Sequence, residues 1–252
     1  MALGGMGLFL LEAGAGTALL LLFFPTRTLG PGFFSLHGAL AFLFVGLSAL
    51  TRPQGLPAAL AAAAAVLLAL YTVLAQAGRA RAAVPVLAAA DAAALACLVR
   101  VAMTAPRPGG DAWTVLGAVL GGLFFGAVLL TMNLGHWYLV SRSLPFRLLA
   151  RGAMLFAVLA GARAVLLASA VVAGASRDGL SSLLSLEKDA LFFLFRVLWG
   201  IVGPLALSYF IWKTADMRSN QAATGLLYVA LVFVLIGELL SSYLTVATGF
   251  PA

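Results

Sequence analysis

Polar chemistry is scarce in this chain. Of its 252 residues 9% are charged, histidine occurs twice and cysteine once, while 63% are hydrophobic and the mean hydropathy is +1.11. Soluble domains carry about 25% charged and roughly 45–50% apolar residues, so a water-solvated fold is excluded and lipid is the expected solvent. The single cysteine, Cys97, excludes an intrachain disulfide and a cysteine-rich metal site, and its apolar surroundings make it a small packing residue. No Gly-Lys-Ser phosphate loop, His-Glu-x-x-His or serine nucleophile elbow is present. Histidine and cysteine are too few for a zinc or iron–sulfur site, and hydrolytic catalysis is disfavoured. Met1 to Gly7 lacks the positive start of a signal peptide and Glu12 interrupts the apolar stretch, so this segment is expected to be a retained helix.

What is present is a series of apolar runs. Proline, glycine and arginine divide the chain into segments at about 4–24, 32–50, 57–77, 83–103, 112–140, 148–174, 190–212 and 221–248. Each is long enough to span hydrocarbon, which takes about 20 residues of helix. Helix is the only regular element open to them, because an unpaired backbone group in lipid costs several kcal/mol. The expectation is an all-α, polytopic integral membrane bundle of about eight transmembrane helices, one domain over residues 1–252.

The net charge of +7 comes mainly from arginine in the loops, a pattern suited to lipid headgroups and topology, not to nucleic acid. Arg27, Arg79, Arg81, Arg142, Arg147, Lys213 and Arg218 fall in alternate loops; Arg52, Arg107, Arg177 and Lys188 fall on the opposite side. The positive-inside rule puts the first set in the cytoplasm and both termini outside, as expected of a multi-pass protein of a cell (inner) membrane. Arginine and alanine usage points to a GC-rich bacterial source. The mixed segment from Ser176 to Asp189 is expected to be an interfacial amphipathic helix. The pairs Gly117 with Gly121 and Gly122 with Gly126 suit close helix packing.

Four ionisable residues fall near mid-bilayer: Glu12, Asp91, Arg163 and Glu238. Each would cost about 2.5–3.5 kcal/mol if left alone there, so they must face protein, water or one another. Arg163 is expected to pair with one acid, leaving the others neutral or hydrated as in a proton path; a buried ion pair that fixes helix register is the alternative. Arg100 and Arg196 lie nearer helix ends, where snorkelling suffices. Pro204 is expected to kink the seventh helix.

His37 and His136 fall at one depth, about one turn inside the predicted cytoplasmic ends of helices two and five. Three readings stand open. They could ligate a haem b iron, with Arg27, Arg142 or Arg147 meeting the propionates; they could donate to a quinone carbonyl; or they could be unrelated, each hydrogen-bonded locally. Asn133 lies three residues before His136, on the same helix face, and could share a polar pocket with it. Trp137 and Tyr138 read by themselves as interfacial belt residues.

The late stretch Ile236-Gly237-Glu238-Leu239-Leu240-Ser241-Ser242-Tyr243-Leu244, with eight helices and outward termini, resembles the DMSO-reductase-anchor and polysulfide- and nitrite-reductase membrane-subunit families. The resemblance implies quinone or quinol exchange with a soluble iron–sulfur partner. The chain departs from those families in having Ser241 and Ser242 where an arginine usually follows the Gly-Glu-Leu-Leu. The expected function is therefore a membrane subunit of a respiratory complex, binding quinone and haem b and exchanging electrons with other membrane or peripheral subunits. A proton-coupled transporter or channel, and a cofactor-free structural or assembly subunit, are the alternatives.

Overall fold

The computed structural model of the protein describes residues 2–52, 55–103, 111–141, 144–145, 147–175 and 187–250. Among these residues eight helices are long and apolar enough to cross a membrane, and there is no strand. They are α1 (Ala2–Leu21), α2 (Thr26–Leu50), α3 (Leu56–Gln76), α4 (Ala80–Ala102), α5 (Asp111–Val140) and α6 (Arg147–Ala175). The seventh, α7, runs in three segments, Glu187–Val197, a π-helical turn Leu198–Val202, and Gly203–Asp216; α8 is Asn220–Thr248. The expected all-α polytopic membrane bundle is what the chain forms. The amphipathic segment expected from 176 lies outside the described residues up to 186.

The largest boundary difference is at α2, which begins six residues earlier than the periodicity predicts because it is broken and resumed. Gly30, at φ 73° and ψ 170°, adopts a conformation open essentially to glycine alone, and Pro31 then restarts the helix with its fixed φ. In α7 the expected disturbance at Pro204 is a π turn. Proline cannot donate to the carbonyl one turn back, and a widened turn is one way a helix absorbs that loss.

Helices α1 to α4 close a ring, each packed on its sequence neighbour and α4 returning to α1; α5 to α8 close a second ring in the same way. Short connections make consecutive helices antiparallel neighbours, which is the origin of both rings. The rings join mainly where α1 lies on α5, with α8 also touching α1. Consequently 78% and 72% of the span residues of α1 and α5 are buried, against 22–39% in the other six. The outer helices turn apolar residues outward, such as Val158, Val165 and Val172 of α6 and Tyr209 and Phe210 of α7.

Glycine makes the seam possible. A Cβ at Gly122 would meet the Glu12 carbonyl, one at Gly16 the Gly122 carbonyl, and one at Gly126 the Gly16 carbonyl. The α1 backbone therefore lies directly on that of α5, as small residues permit between membrane helices.

Candidate functional site

The α1–α5 seam sets the position of the charged centre. At about 1.5 Å rise per residue, Glu12 on α1, Gly121 on α5, Arg196 on α7 and Glu238 on α8 all lie roughly 14–15 Å from the helix ends on the face that carries the termini. Arg163 of α6 reaches the same layer. Its Nε donates to Glu238 Oε1 at 3.2 Å and its Nη2 to Glu238 Oε2 at 2.9 Å, a two-point grip on the carboxylate. Nη2 also donates to Ser241 Oγ at 2.7 Å. From the other side Arg196 Nη2 stands 3.0 Å from Glu238 Oε1. One carboxylate is thus held between two guanidinium groups, and all three side chains are at most 2% exposed.

Arg196 is the residue that sequence reasoning missed. Position near a helix end suggested snorkelling; instead its side chain is fully buried and turns inward to Glu238. Room for it comes from Gly200 and Gly237, whose Cα atoms face each other beside the guanidinium where α7 crosses α8. The available signal was Gly200 one turn after Arg196, followed by Pro204. Gly121 does the same for the other half: a Cβ there would strike the Glu238 carboxylate.

Glu12 completes the cluster, buried with the residue 5% exposed. Ser242 Oγ lies 2.8 Å from Glu12 Oε2 and 3.0 Å from the Glu238 backbone carbonyl. A serine hydroxyl owns one proton, and a carbonyl can only accept. Two arrangements therefore fit the same positions. With Glu12 ionised, Ser242 donates to its carboxylate; with Glu12 protonated, Glu12 donates to Ser242, which donates onward to the carbonyl. The four charged groups then total zero or +1.

Asp91 does not join them. It is 3% exposed on α4, and neither carboxylate oxygen has a hydrogen-bond partner among the described residues. The expected pairing of Arg163 with one acid is realised with Glu238; Glu12 finds a hydroxyl, and Asp91 no hydrogen-bond partner among the described residues.

The two histidines part company. His37 is fully buried, with Nδ1 2.7 Å from the Phe33 carbonyl and Nε2 2.9 Å from Asn133 Nδ2. Because the carbonyl must accept, Nδ1 carries the proton and Nε2 accepts from the Asn133 amide. Both ring nitrogens are then used. His136 lies on the exposed side of α5, so Asn133 shares a pocket with His37, not with His136. This arrangement does not fit a bis-histidine haem, nor does it leave His37 a proton to donate to a quinone. Trp137 packs edge-on against Phe33 at 5.8 Å, and Tyr138 is buried, donating to the Pro145 carbonyl and accepting from Leu149 N at the α5–α6 corner. Both serve packing here more than an interfacial belt. Arg142 lies outside the described residues, and Arg147 is exposed at the start of α6.

Replacing Asn133 with leucine is expected to leave His37 Nε2 buried without a donor, lowering stability by about 1–3 kcal/mol. The midpoint of thermal unfolding in detergent reads this; an unchanged midpoint would show that the amide does not serve the imidazole.

No family model, curated protein or solved structure matches this chain.

Proposed function

We propose that this chain is the membrane subunit of an electron-transfer complex in a bacterial inner membrane, its arginine-rich face cytoplasmic. In this reading it exchanges electrons and protons between a lipid-soluble quinone and a partner redox subunit. The observation that carries the proposal is Ser242, which accommodates Glu12 with or without its proton inside a sealed, four-helix ion cluster at mid-bilayer. A group that can change charge there without rearranging its neighbours is what proton traffic across hydrocarbon requires. Conversion of quinone to quinol consumes two electrons, which the partner subunit supplies, and two protons, for which buried carboxyls such as Glu12 and Asp91 are suited carriers.

The packing favours this over solute transport. Gly121, Gly200 and Gly237 bring backbone against the charged groups themselves, and every cluster member is at most 5% exposed. A proton fits such a site; a solute does not without a large opening of the seam. The polar contacts of His37 leave haem out of the reading.

Glu12→Gln keeps the size and a hydrogen bond to Ser242 but cannot release a proton. It is expected to lower quinone-dependent electron transfer in native membranes by about 10²-fold or more, the lower end of what a positioned proton-transfer group contributes, with the amount of folded protein unchanged. Quinone extracted from the purified protein is expected in amounts comparable to the protein. Absence of quinone together with an unaffected Glu12→Gln variant would overturn the proposal, and uncoupled proton flux in proteoliposomes would put a channel in its place.

A further inference from the structure

Where α6 begins and α7 ends, on the face opposite the termini, the outer side of the second ring holds an open cleft of about 490 Å³. It is lined by Arg147, Ala150, Arg151 and Met154 of α6 and by Trp212 and Asp216 of α7. At about 1.5 Å rise per residue, Arg147 and Asp216 stand at the rim, with Arg151 and Trp212 about 6 Å deeper. Ala150 is small and leaves the space between them open. Both arginines and Asp216 are exposed, and neither Arg151 nor Asp216 has an ion-pair partner among the described residues.

These charges stand where their own helices disfavour them. A helix is electropositive at its N-terminal end and electronegative at its C-terminal end. Even so, α6 opens with Arg147, has no acid in its first turn and carries Arg151 one turn on, while α7 closes with Asp216. An anion at the start of α6 would be held by the guanidinium groups and the helix end together. A cation at the end of α7 would be held in the same way by the Asp216 carboxylate and that helix end. One ligand carrying the two charges side by side therefore meets every charged group that lines the cleft. Lys213, exposed in the last turn of α7, does not line it.

Deeper in the membrane the wall turns apolar. Arg147, Arg151, Met154, Val158, Gly161 and Val165 succeed one another at spacings of three and four residues, which puts them on one stripe of α6. Met154, Val158 and Val165 are exposed, and the space beside Gly161 is open. A doubly charged head above hydrocarbon that runs along this stripe is the form of a phospholipid. Arginine and tryptophan one turn inside a helix end stand at the level of lipid headgroups.

We propose that the α6–α7 cleft binds a phospholipid whose headgroup carries a primary ammonium beside its phosphate, as phosphatidylethanolamine does. The phosphate lies on Arg147 and Arg151, and the ammonium donates to Asp216. A choline headgroup has no N–H to donate, and a glycerol headgroup brings Asp216 no cation. The site does not depend on electron transfer by the chain.

The test is native mass spectrometry of the full chain, purified in detergent, stripped of lipid and offered equal amounts of phosphatidylethanolamine, phosphatidylcholine and phosphatidylglycerol. One phosphatidylethanolamine is expected to be retained, favoured over phosphatidylcholine about three- to fivefold, as an exposed ion pair allows. Arg151→Gln is expected to weaken that retention about fivefold, the contribution of one arginine near the headgroups. Asp216→Asn is expected to remove the preference over phosphatidylcholine while lipid still binds, and Ala150→Phe, which fills the cleft, to abolish selective retention. Unchanged thermal midpoints would exclude misfolding as the cause; should Ala150→Phe fail to fold, the exposed Arg151 and Asp216 variants carry the test. A preference for phosphatidylglycerol that Asp216→Asn leaves unchanged or strengthens would make this a site for anionic lipid and overturn the proposal. Equal retention of the three lipids would overturn it as well, by showing that they bind only as a general lipid coat.

Discussion

Glu238→Gln is expected to be among the most damaging single substitutions in this protein, costing about 3–5 kcal/mol and sharply lowering the amount that accumulates in the membrane. The reason is asymmetry. Arg163 and Arg196 are buried on either side of one carboxylate, and glutamine offers them one carbonyl oxygen and no charge. Two guanidinium groups would then face each other across a neutral amide, with Glu12 as the remaining acid in the cluster. Removing the charges together is a different matter, because ion networks replaced wholesale by apolar residues of similar volume are often neutral in stability. The triple variant Arg163→Met, Arg196→Met, Glu238→Met is therefore expected to unfold at a higher temperature than Glu238→Gln alone. If Glu238→Gln unfolds at the parent temperature, the carboxylate is not holding the arginines.

Gly122→Ala should be nearly as harmful, although it adds one methyl group. That methyl would occupy the position of the Glu12 backbone carbonyl, and backbone cannot move aside as a side-chain tip can. Overpacking of this kind costs about 1–3 kcal/mol where side chains absorb it, and the seam offers none. Gly161→Ala is the matched control: it too lies within a membrane helix, but its Cβ would meet nothing within 4 Å. Alanine is favoured over glycine in helices by about 1 kcal/mol, so this control is expected to be neutral or stabilising. Equal thermal midpoints for the two variants would show that α1 and α5 are not in backbone contact. The same displacement should carry Glu12 away from Ser242, so on the proposed electron-transfer reading Gly122→Ala also impairs that activity in whatever protein remains folded.

Much of the anatomy was open to reading from the chain. Apolar runs bounded by arginine and proline locate the eight helices because lipid admits few other solutions, and the mid-membrane depth of Glu12, Arg163 and Glu238 follows from helix rise alone. The pairing of Arg163 with an acid was also legible, since a lone buried charge is too costly to keep. Which acid it chose was not. Glu12, Asp91 and Glu238 share a depth, and only the closure of the second ring sets α6 and α8 across it from each other, so that Arg163 reaches Glu238, while Asp91 stays on α4 in the first ring. Arg196 was misread for a related reason: distance from a helix end says how far a side chain must snorkel, but not whether glycines on two crossing helices have opened an inward path. His37 and His136 illustrate the limit most clearly. Depth put them level, and rotation about α5 turned Asn133 to His37 and His136 to the outside.

By itself, then, the sequence determined the solvent, the helix count and the depth of each charged residue, because these depend on composition and on position along one helix. The tertiary structure decided which charges meet, which histidine is buried and where a cleft opens. Those outcomes depend on contacts between helices far apart in sequence, made by glycines whose packing partners no single helix reveals.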